Sequence, residues 1–207
     1  MMLGSFNPTI FQPRWLGAQQ LIRPEEAENA KITTIQAELA DFSTEWFHLQ
    51  VLQNRFQILS EDPRQYAPLR DLVGAICAIL PHTPITALGL NRKFHFSVRS
   101  RDNWHGLGHL LAPKEPWNAI IDAPGLLSMV MQGRRKETDG GNLRVVVGPS
   151  QKVDPGVFMQ INEEFLASKY PQPEGAQWIA GCLSEHWDGV MAFSEVVAEH
   201  LLGLVRN

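Results

Sequence analysis

The most regular alternation of apolar and polar residues in this chain lies in residues 85–99. Its alternating positions are the apolar residues Phe94, Phe96 and Val98 and the polar residues Lys93, His95, Ser97 and Arg99. Because successive side chains of a β-strand point to opposite faces, this pattern predicts a strand with one face in the core and one in water. The water-facing side carries the positive charges, so this strand is the first place to look for a site.

Five other segments have strand patterns, over residues 32–39, 47–59, 126–132, 143–147 and 157–161. Within residues 47–59 the apolar residues change from odd-numbered to even-numbered positions between Val51 and Phe56. We therefore expect a bulge or a tight turn near Gln53. Residues 138–142, with the sequence TDGGN, supply the glycines that a chain reversal needs. The third and fourth segments are therefore predicted to form a hairpin.

Three longer segments are predicted to be helical, and residues 7–30 are interpreted as a loop followed by a short helix. Asp62 and Pro63 are a typical helix start, and an apolar stripe of helical spacing follows them until Pro81. A short helix is predicted to begin at Trp104, with Asp102 or Asn103 as its cap. The last helix is predicted to begin near residue 184 and to run for about 20 residues, or roughly 30 Å.

The predicted order of elements is β-β-α-β-α-β-β-β-α. Neighbouring hairpins and few crossover helices favour an α+β fold with a mostly antiparallel sheet of about six strands. The helices are expected to pack on one face of the sheet, and the long C-terminal helix is expected to cross it. A chain of 207 residues and 23.3 kDa is predicted to form a single domain over residues 1–207.

Charge is distributed unevenly along the chain, although the net charge is only -4. Residues 92–152 carry 10 Lys and Arg against 5 Asp and Glu, whereas both flanking stretches are acidic. The basic middle fits either contact with an anionic partner or packing near the acidic C-terminal helix, in the same molecule or in a dimer mate. The negative net charge argues against a dedicated nucleic-acid binder.

The candidate anion-binding residues are Lys93, Arg99, Arg101, Arg134 and Arg135. A cluster of guanidinium groups can hold a phosphate or a carboxylate with two hydrogen bonds each. The two groups of basic residues are expected to lie on neighbouring elements. The alternative interpretation is a solvated face whose charges form local ion pairs.

His105 and His109 are the candidate metal ligands, because a spacing of four residues puts both imidazoles on one face of a helix. His95 is a candidate third ligand if the connection after its strand folds back. Gly106 and Gly108 weaken the helix that would present the pair. The alternative is three histidines that make ordinary hydrogen bonds.

The chain has none of the common catalytic or cofactor motifs: no phosphate-binding loop, no dinucleotide fingerprint, no nucleophile elbow and no HExxH zinc helix. Ser184, His186 and Asp188 fall within about one helical turn and cannot adopt the geometry of a catalytic triad. A protein without catalytic activity is therefore favoured, and no cofactor is expected.

Cys77 and Cys182 each lie in an apolar run and are interpreted as reduced core thiols, which suits a cytoplasmic protein. The first residues lack the pattern of a secretory signal, and no apolar stretch approaches the ~18 residues of a membrane span, so no membrane partner is expected. Trp178, in the stretch GAQWIAG, is interpreted either as a plug over the core or as an interface anchor.

The stretches NPTIFQPRWL and LRDLVGAICAILPHTPITALGLNRKFHF, with a long last helix, resemble uncharacterised bacterial hypothetical proteins. The resemblance covers mainly the first half of the chain. It implies an α+β fold and a prokaryotic cytoplasmic origin, and it transfers no functional residues.

The favoured hypothesis is a bacterial protein that acts by protein–protein association, as a homodimer or as a subunit of an assembly. The first alternative is a small-molecule binder with a cavity between the sheet and the C-terminal helix. Its expected lining is Val190, Met191, Val197 and Leu201, facing Met129, Met131, Val145 and Phe158. The second alternative is an anion or nucleic-acid contact through the basic strand face, which would weaken steeply with salt.

Overall fold

The computed structural model describes residues 1–136, 140–171 and 173–204. Its strands are β1 (Met2–Gly4), β2 (Lys31–Ile35), β3 (Leu39–Ser43), β4 (His48–Leu52), β5 (Arg55–Leu59), β6 (Ile85–Ser97), β7 (Met129–Arg134), β8 (Asn142–Pro149) and β9 (Gly156–Leu166). Its helices are α1 (Pro13–Ala18), α2 (Pro24–Glu28), α3 (Tyr66–Ile79), α4 (Arg101–Leu111) and α5 (Gln177–Gly203).

The strands of the described residues form one nine-stranded sheet in the order β2-β3-β4-β5-β1-β6-β9-β8-β7. The pairings β2–β3, β3–β4, β4–β5, β5–β1, β1–β6, β7–β8 and β8–β9 are antiparallel. The prediction of an α+β fold with a large antiparallel sheet and a long C-terminal helix is confirmed. The predicted number of about six strands is wrong, because the sheet has nine.

The three missed strands have local causes. β1 is three residues long, too short to show an alternation. β3 was missed because the predicted strand over residues 32–39 included the turn that separates β2 from β3. The predicted strand over 47–59 is two strands, β4 and β5, because the chain reverses at Gln53 and Asn54 and puts Leu52 opposite Arg55. The change in the numbering of the apolar positions therefore marked a tight turn and not a bulge.

The described residues divide into two compact units. Unit 1 comprises Met1–Gly89 and Phe165–Trp187, and unit 2 comprises Leu90–Glu164 and the described residues from Asp188 onward. β6, β9 and α5 therefore contribute residues to both units. The single domain over residues 1–207 stays a prediction alongside this division.

The core of unit 1 collects the inward side chains of β3, β4 and β5. These are Ala40, Phe42, Leu49, Val51 and Phe56, each at most 1% exposed. α3 adds a buried stripe of Leu69, Leu72, Val73, Ile76 and Cys77. The predicted start of this helical segment is confirmed, because the Asp62 side chain accepts a hydrogen bond from the Arg64 N–H at 3.0 Å and Pro63 follows it.

The core of unit 2 is one cluster of buried apolar residues: Val98, Leu107, Val147, Val157, Met159, Ile161, Ala198 and Leu202. Leu107 lies on α4, and Ala198 and Leu202 lie on α5. Both helices therefore cover the same face of β8 and β9.

Two helix boundaries differ from the prediction. α4 is capped by Ser100, whose hydroxyl accepts a hydrogen bond from the Asn103 N–H at 3.2 Å, so the predicted caps lie inside the helix. α5 begins at Gln177 and has 27 residues, because Trp178 and Cys182 already follow helical spacing and are buried. Part of the predicted 138–142 turn lies outside the described residues, but Arg134 of β7 pairs with Asn142 of β8, as a hairpin requires.

Candidate functional site

The five basic candidates all lie in unit 2, on several different elements. Lys93 lies on β6 and Arg134 lies at the end of β7, and two strands, β9 and β8, separate β6 from β7. Three strand spacings put the backbones of β6 and β7 about 14 Å apart. The expectation that the two groups of basic residues lie on neighbouring elements is therefore wrong.

Two of these five residues are engaged in ion pairs within unit 2. Arg101 forms an exposed pair with Asp154, with 2.8 Å between Nη2 and Oδ2. The Arg135 side chain is only 12% exposed, and its guanidinium contacts the fully buried carboxylate of Glu163. Arg135 thus belongs to the interior. Lys93, Arg99 and Arg134 are exposed, and an anion contact through them stays a prediction.

His95 is part of a turn cap rather than an open ligand set. Its Nδ1 lies 2.8 Å from the Ser150 hydroxyl, which also accepts hydrogen bonds from the N–H groups of Lys152 and Val153. The Ser150 hydroxyl thus contacts the imidazole and two backbone N–H groups of the turn that follows β8. The imidazole also packs against the Phe158 ring, with 5.0 Å between centroids.

The other two candidate metal ligands lie on α4. His105 stands edge-on to Trp104, and His109 pairs with Glu115 at 3.3 Å. Across residues 1–136, 140–171 and 173–204, no group of three His, Cys, Asp or Glu side chains is placed to hold a metal ion.

Trp178 lies in the core of unit 1, which is the plug alternative of the sequence analysis. It is 4% exposed, its Nε1–H donates to the Ile85 carbonyl at 3.1 Å, and its ring stacks on Tyr170. Burial and a hydrogen bond with Cys182 raise the pKa of the Tyr170 hydroxyl. Trp178 is therefore an internal contact and not a surface anchor.

Four of the eight side chains expected to line a small-molecule cavity pack against the core of unit 2. Val197 and Leu201 of α5 pack on the buried cluster of unit 2 together with Met129 and Val145. A cavity of about 190 Å³ lies instead between α4 and the ends of β8 and β9. Its lining includes Trp104, His105, Leu107, His109, Leu126, Val147, Pro149 and Val157. This volume falls below the roughly 300–1,000 Å³ of typical small-molecule sites.

A polar network on the outer face of β3, β4 and β5 was missed by the sequence analysis. Asp41 accepts hydrogen bonds from His48 at 3.0 Å and from Gln50 at 2.8 Å, and Gln50 accepts one from Arg55. Partial burial works to raise the pKa of Asp41, but the hydrogen bonds from His48 and Gln50 outweigh it and hold that pKa below its ordinary value. The alternation along β3 and β4 could have placed these residues on one face.

This network borders an open groove of about 880 Å³ in unit 1, where Trp46 donates to the Glu26 carboxylate at 3.2 Å. Asp41 orients the His48 imidazole, as a catalytic base requires. No hydroxyl or thiol of the described residues donates a hydrogen bond to His48. The polar side chains at the groove thus form hydrogen bonds with one another. Among the described residues, the network lacks the nucleophile of a catalytic triad.

A concentration of exposed apolar side chains distinguishes one part of unit 2. Seven of the thirteen large apolar residues exposed in the described chain lie within residues 110–131, and we call this set the apolar surface, although Val130 and Met131 face opposite sides of β7: Leu110, Trp117, Ile120, Ile121, Leu127, Val130 and Met131. The N–H groups of Ile120 and Ile121 both donate to the Trp117 carbonyl, so these three side chains project from one side of a helical turn.

The sequence patterns did not predict this surface. Residues 126–132 were expected to form a strand whose Met129 and Met131 face the C-terminal helix. The signal was available as the run WNAIIDAPGLLSMVM, in which apolar residues follow neither a sustained helical nor a sustained strand period.

Comparisons of the chain with protein-family models, with curated proteins and with solved structures give no match. The resemblance to uncharacterised bacterial proteins stays a prediction. Among the helices of the described residues, none has both the length and the apolar character needed to cross a membrane.

Proposed function

We propose that this protein acts by associating with another protein chain through the apolar surface of unit 2, without catalytic activity of its own. The concentration of exposed apolar side chains in residues 110–131 carries this proposal. Single exposed apolar residues are ordinary on any protein, whereas large groups of them mark interaction sites.

The side chains of the apolar surface are accessible enough to contact a partner. The seven side chains are between 47% and 83% exposed. About half or more of each side chain is therefore open to contact with a partner.

Other features of the site favour association over catalysis. Among the described residues no hydroxyl or thiol donates a hydrogen bond to His48, and the cavity beside α4 is small. Two of the five basic candidates already form ion pairs, which weakens the case for a shared anion site. The sequence also lacks the common catalytic motifs.

Native mass spectrometry of the protein, purified gently from its own host, tests the proposal. We expect an assembly, and we expect the double substitution Trp117→Ser and Ile120→Ser to dissociate it, because it removes two side chains that are 49% and 74% exposed. Val196→Ser is the matched control, since Val196 is an exposed apolar residue of α5 outside the apolar surface. A bare monomer, or an assembly that survives the double substitution, would contradict the proposal.

We also propose that the protein works in the bacterial cytoplasm. Cys77 and Cys182 are both free and buried, which fits a compartment that keeps thiols reduced. Fractionation of the host cells tests this, with recovery in the cytosolic fraction as the expected result and recovery in the periplasmic or secreted fraction as the contradicting one.

A further inference from the structure

We infer that the partner is a second copy of this chain, joined to the first along the outer edge of β7. The inference rests on the proposed function and names its partner. The two copies would pair their β7 strands antiparallel about a two-fold axis, and the sheet would continue from one copy into the other.

The two edge strands of the sheet differ in a way that favours β7. β2 is one edge, and its pairing with β3 shifts register between Ile32 and Thr34. This bulge, together with Lys31 at the start of the strand, is a common device that prevents an edge from pairing with another chain.

β7, the opposite edge, has no such protection. It pairs with β8 residue by residue, from Met129 opposite Val147 to Arg134 opposite Asn142, with no shift in register. It contains no proline, and its only charge is Arg134 at the last position. Every residue after Met129 is exposed, so the backbone N–H and C=O groups of the outer edge are accessible to another strand.

The side chains of β7 fit a self-pairing strand. A two-fold pairing centred on Val130 or Met131 places the apolar half of one strand against the apolar half of the other. The two copies of Arg134 then lie at least about 20 Å apart along the strands, well beyond the screening length in physiological salt. One patch is thus complementary to itself, which is what a two-fold interface requires.

A pair of matched lysine substitutions tests the edge. Val130 and Ile32 are both β-branched residues, are both 57% exposed, and lie on the two opposite edge strands. Val130→Lys should raise the dimer dissociation constant at least about tenfold in sedimentation velocity, since it places two like charges at the centre of the pairing. Ile32→Lys should leave the dimer unchanged.

A cysteine scan tests the geometry with small substitutions that keep the fold. In an antiparallel pair, only residues near the two-fold axis lie opposite their own copies, about 4.5–5.5 Å apart, within the range that a disulfide spans. Val130→Cys, Met131→Cys and Gln132→Cys should therefore give one sharp maximum of oxidised dimer. Ile32→Cys should give none, and the native thiols, Cys77 and Cys182, are buried.

Each outcome decides one of the two proposals. A wild-type chain that stays monomeric at all concentrations, or a dimer that neither responds to Val130→Lys nor cross-links anywhere along β7, overturns the second-copy inference. If native mass spectrometry instead shows a different protein bound, and Trp117→Ser with Ile120→Ser releases it, the proposed function stands and this inference fails.

Discussion

The guanidinium of Arg135 and the carboxylate of Glu163 meet inside unit 2, with 3.3 Å between Nη2 and Oε1. Glu163 is fully buried on the core side of β9, where its Oε1 also accepts the Gly141 N–H, while its Oε2 has no hydrogen-bond partner among the described residues. Arg135 also donates to the Gly189 carbonyl and lies over the Phe193 ring. One cation thus ties the end of β7 to β9 and to α5.

We expect Arg135→Ala to destabilise the protein by about 3–5 kcal/mol, because it leaves a buried carboxylate without a counter-charge. Urea unfolding measures this loss. Arg134→Ala is the control, since the neighbouring arginine is exposed and its removal should change the free energy of unfolding by less than about 0.5 kcal/mol. The double variant with Arg135→Met and Glu163→Met should recover part of the loss. A loss below about 1 kcal/mol for Arg135→Ala would show that Glu163 does not depend on its partner.

The hydrogen bonds to Asp41 predict part of the acid sensitivity of unit 1. Because the pKa of Asp41 is below its ordinary value in the folded state, the unfolded chain takes up the proton first as pH falls. The contribution of Asp41 is therefore complete above about pH 4 and is lost as pH falls through the folded-state pKa. Asp41→Asn should flatten the dependence of the unfolding free energy on pH below about pH 4.

Asp71→Asn is the matched control for this measurement, since Asp71 lies on the exposed side of α3 and its carboxylate pairs with the neighbouring Arg70. It should leave the slope at acid pH as in the wild type. Equal slopes for Asp41→Asn and wild type would contradict the role given to the His48 and Gln50 hydrogen bonds.

Both native thiols should be unreactive in the folded protein. Burial raises the pKa of the Cys77 thiol to about 12, and Cys182 is fully buried. A chromogenic disulfide reagent at mildly alkaline pH should label neither residue in native buffer and both in strong denaturant. Ile32→Cys is the positive control, because its added thiol lies at a 57% exposed position of β2, outside the proposed dimer interface, and should react at once. Labelling of a native thiol at the denatured rate would contradict the burial.

Trp178 should contribute more to stability than the exposed Trp117. Trp178→Phe keeps an aromatic ring but removes the hydrogen bond that the Ile85 carbonyl accepts, so we expect a loss of about 1–3 kcal/mol. Trp117→Phe, at a residue that is 49% exposed, should change the free energy of unfolding by less than about 0.5 kcal/mol. Chemical unfolding followed by circular dichroism compares the two variants, and equal losses would place Trp178 outside the core.

The sequence by itself determined the features that depend on neighbouring residues. Alternation from Phe94 to Val98 specified which side chains of this segment pack on the core of unit 2, and Asp62 with Pro63 specified where the helical segment before α3 begins. The same local reasoning applied to β3 and β4, where it could have placed Asp41 and His48 on one face. These features are local because a side-chain period or a cap is set by a few consecutive dihedral angles.

Only the tertiary structure decided which strands are neighbours, and the fate of each candidate residue depends on that. Arg134 and Arg135 are adjacent in sequence, yet the first is exposed on an edge strand and the second is paired with a buried glutamate. Trp178 was equally plausible as a core plug or as an interface anchor, and the structure buries it, whereas Trp117 is 49% exposed. Periodicity gives the face of a side chain within its own strand, whereas burial depends on which distant segments cover that face, and long-range pairing decides this.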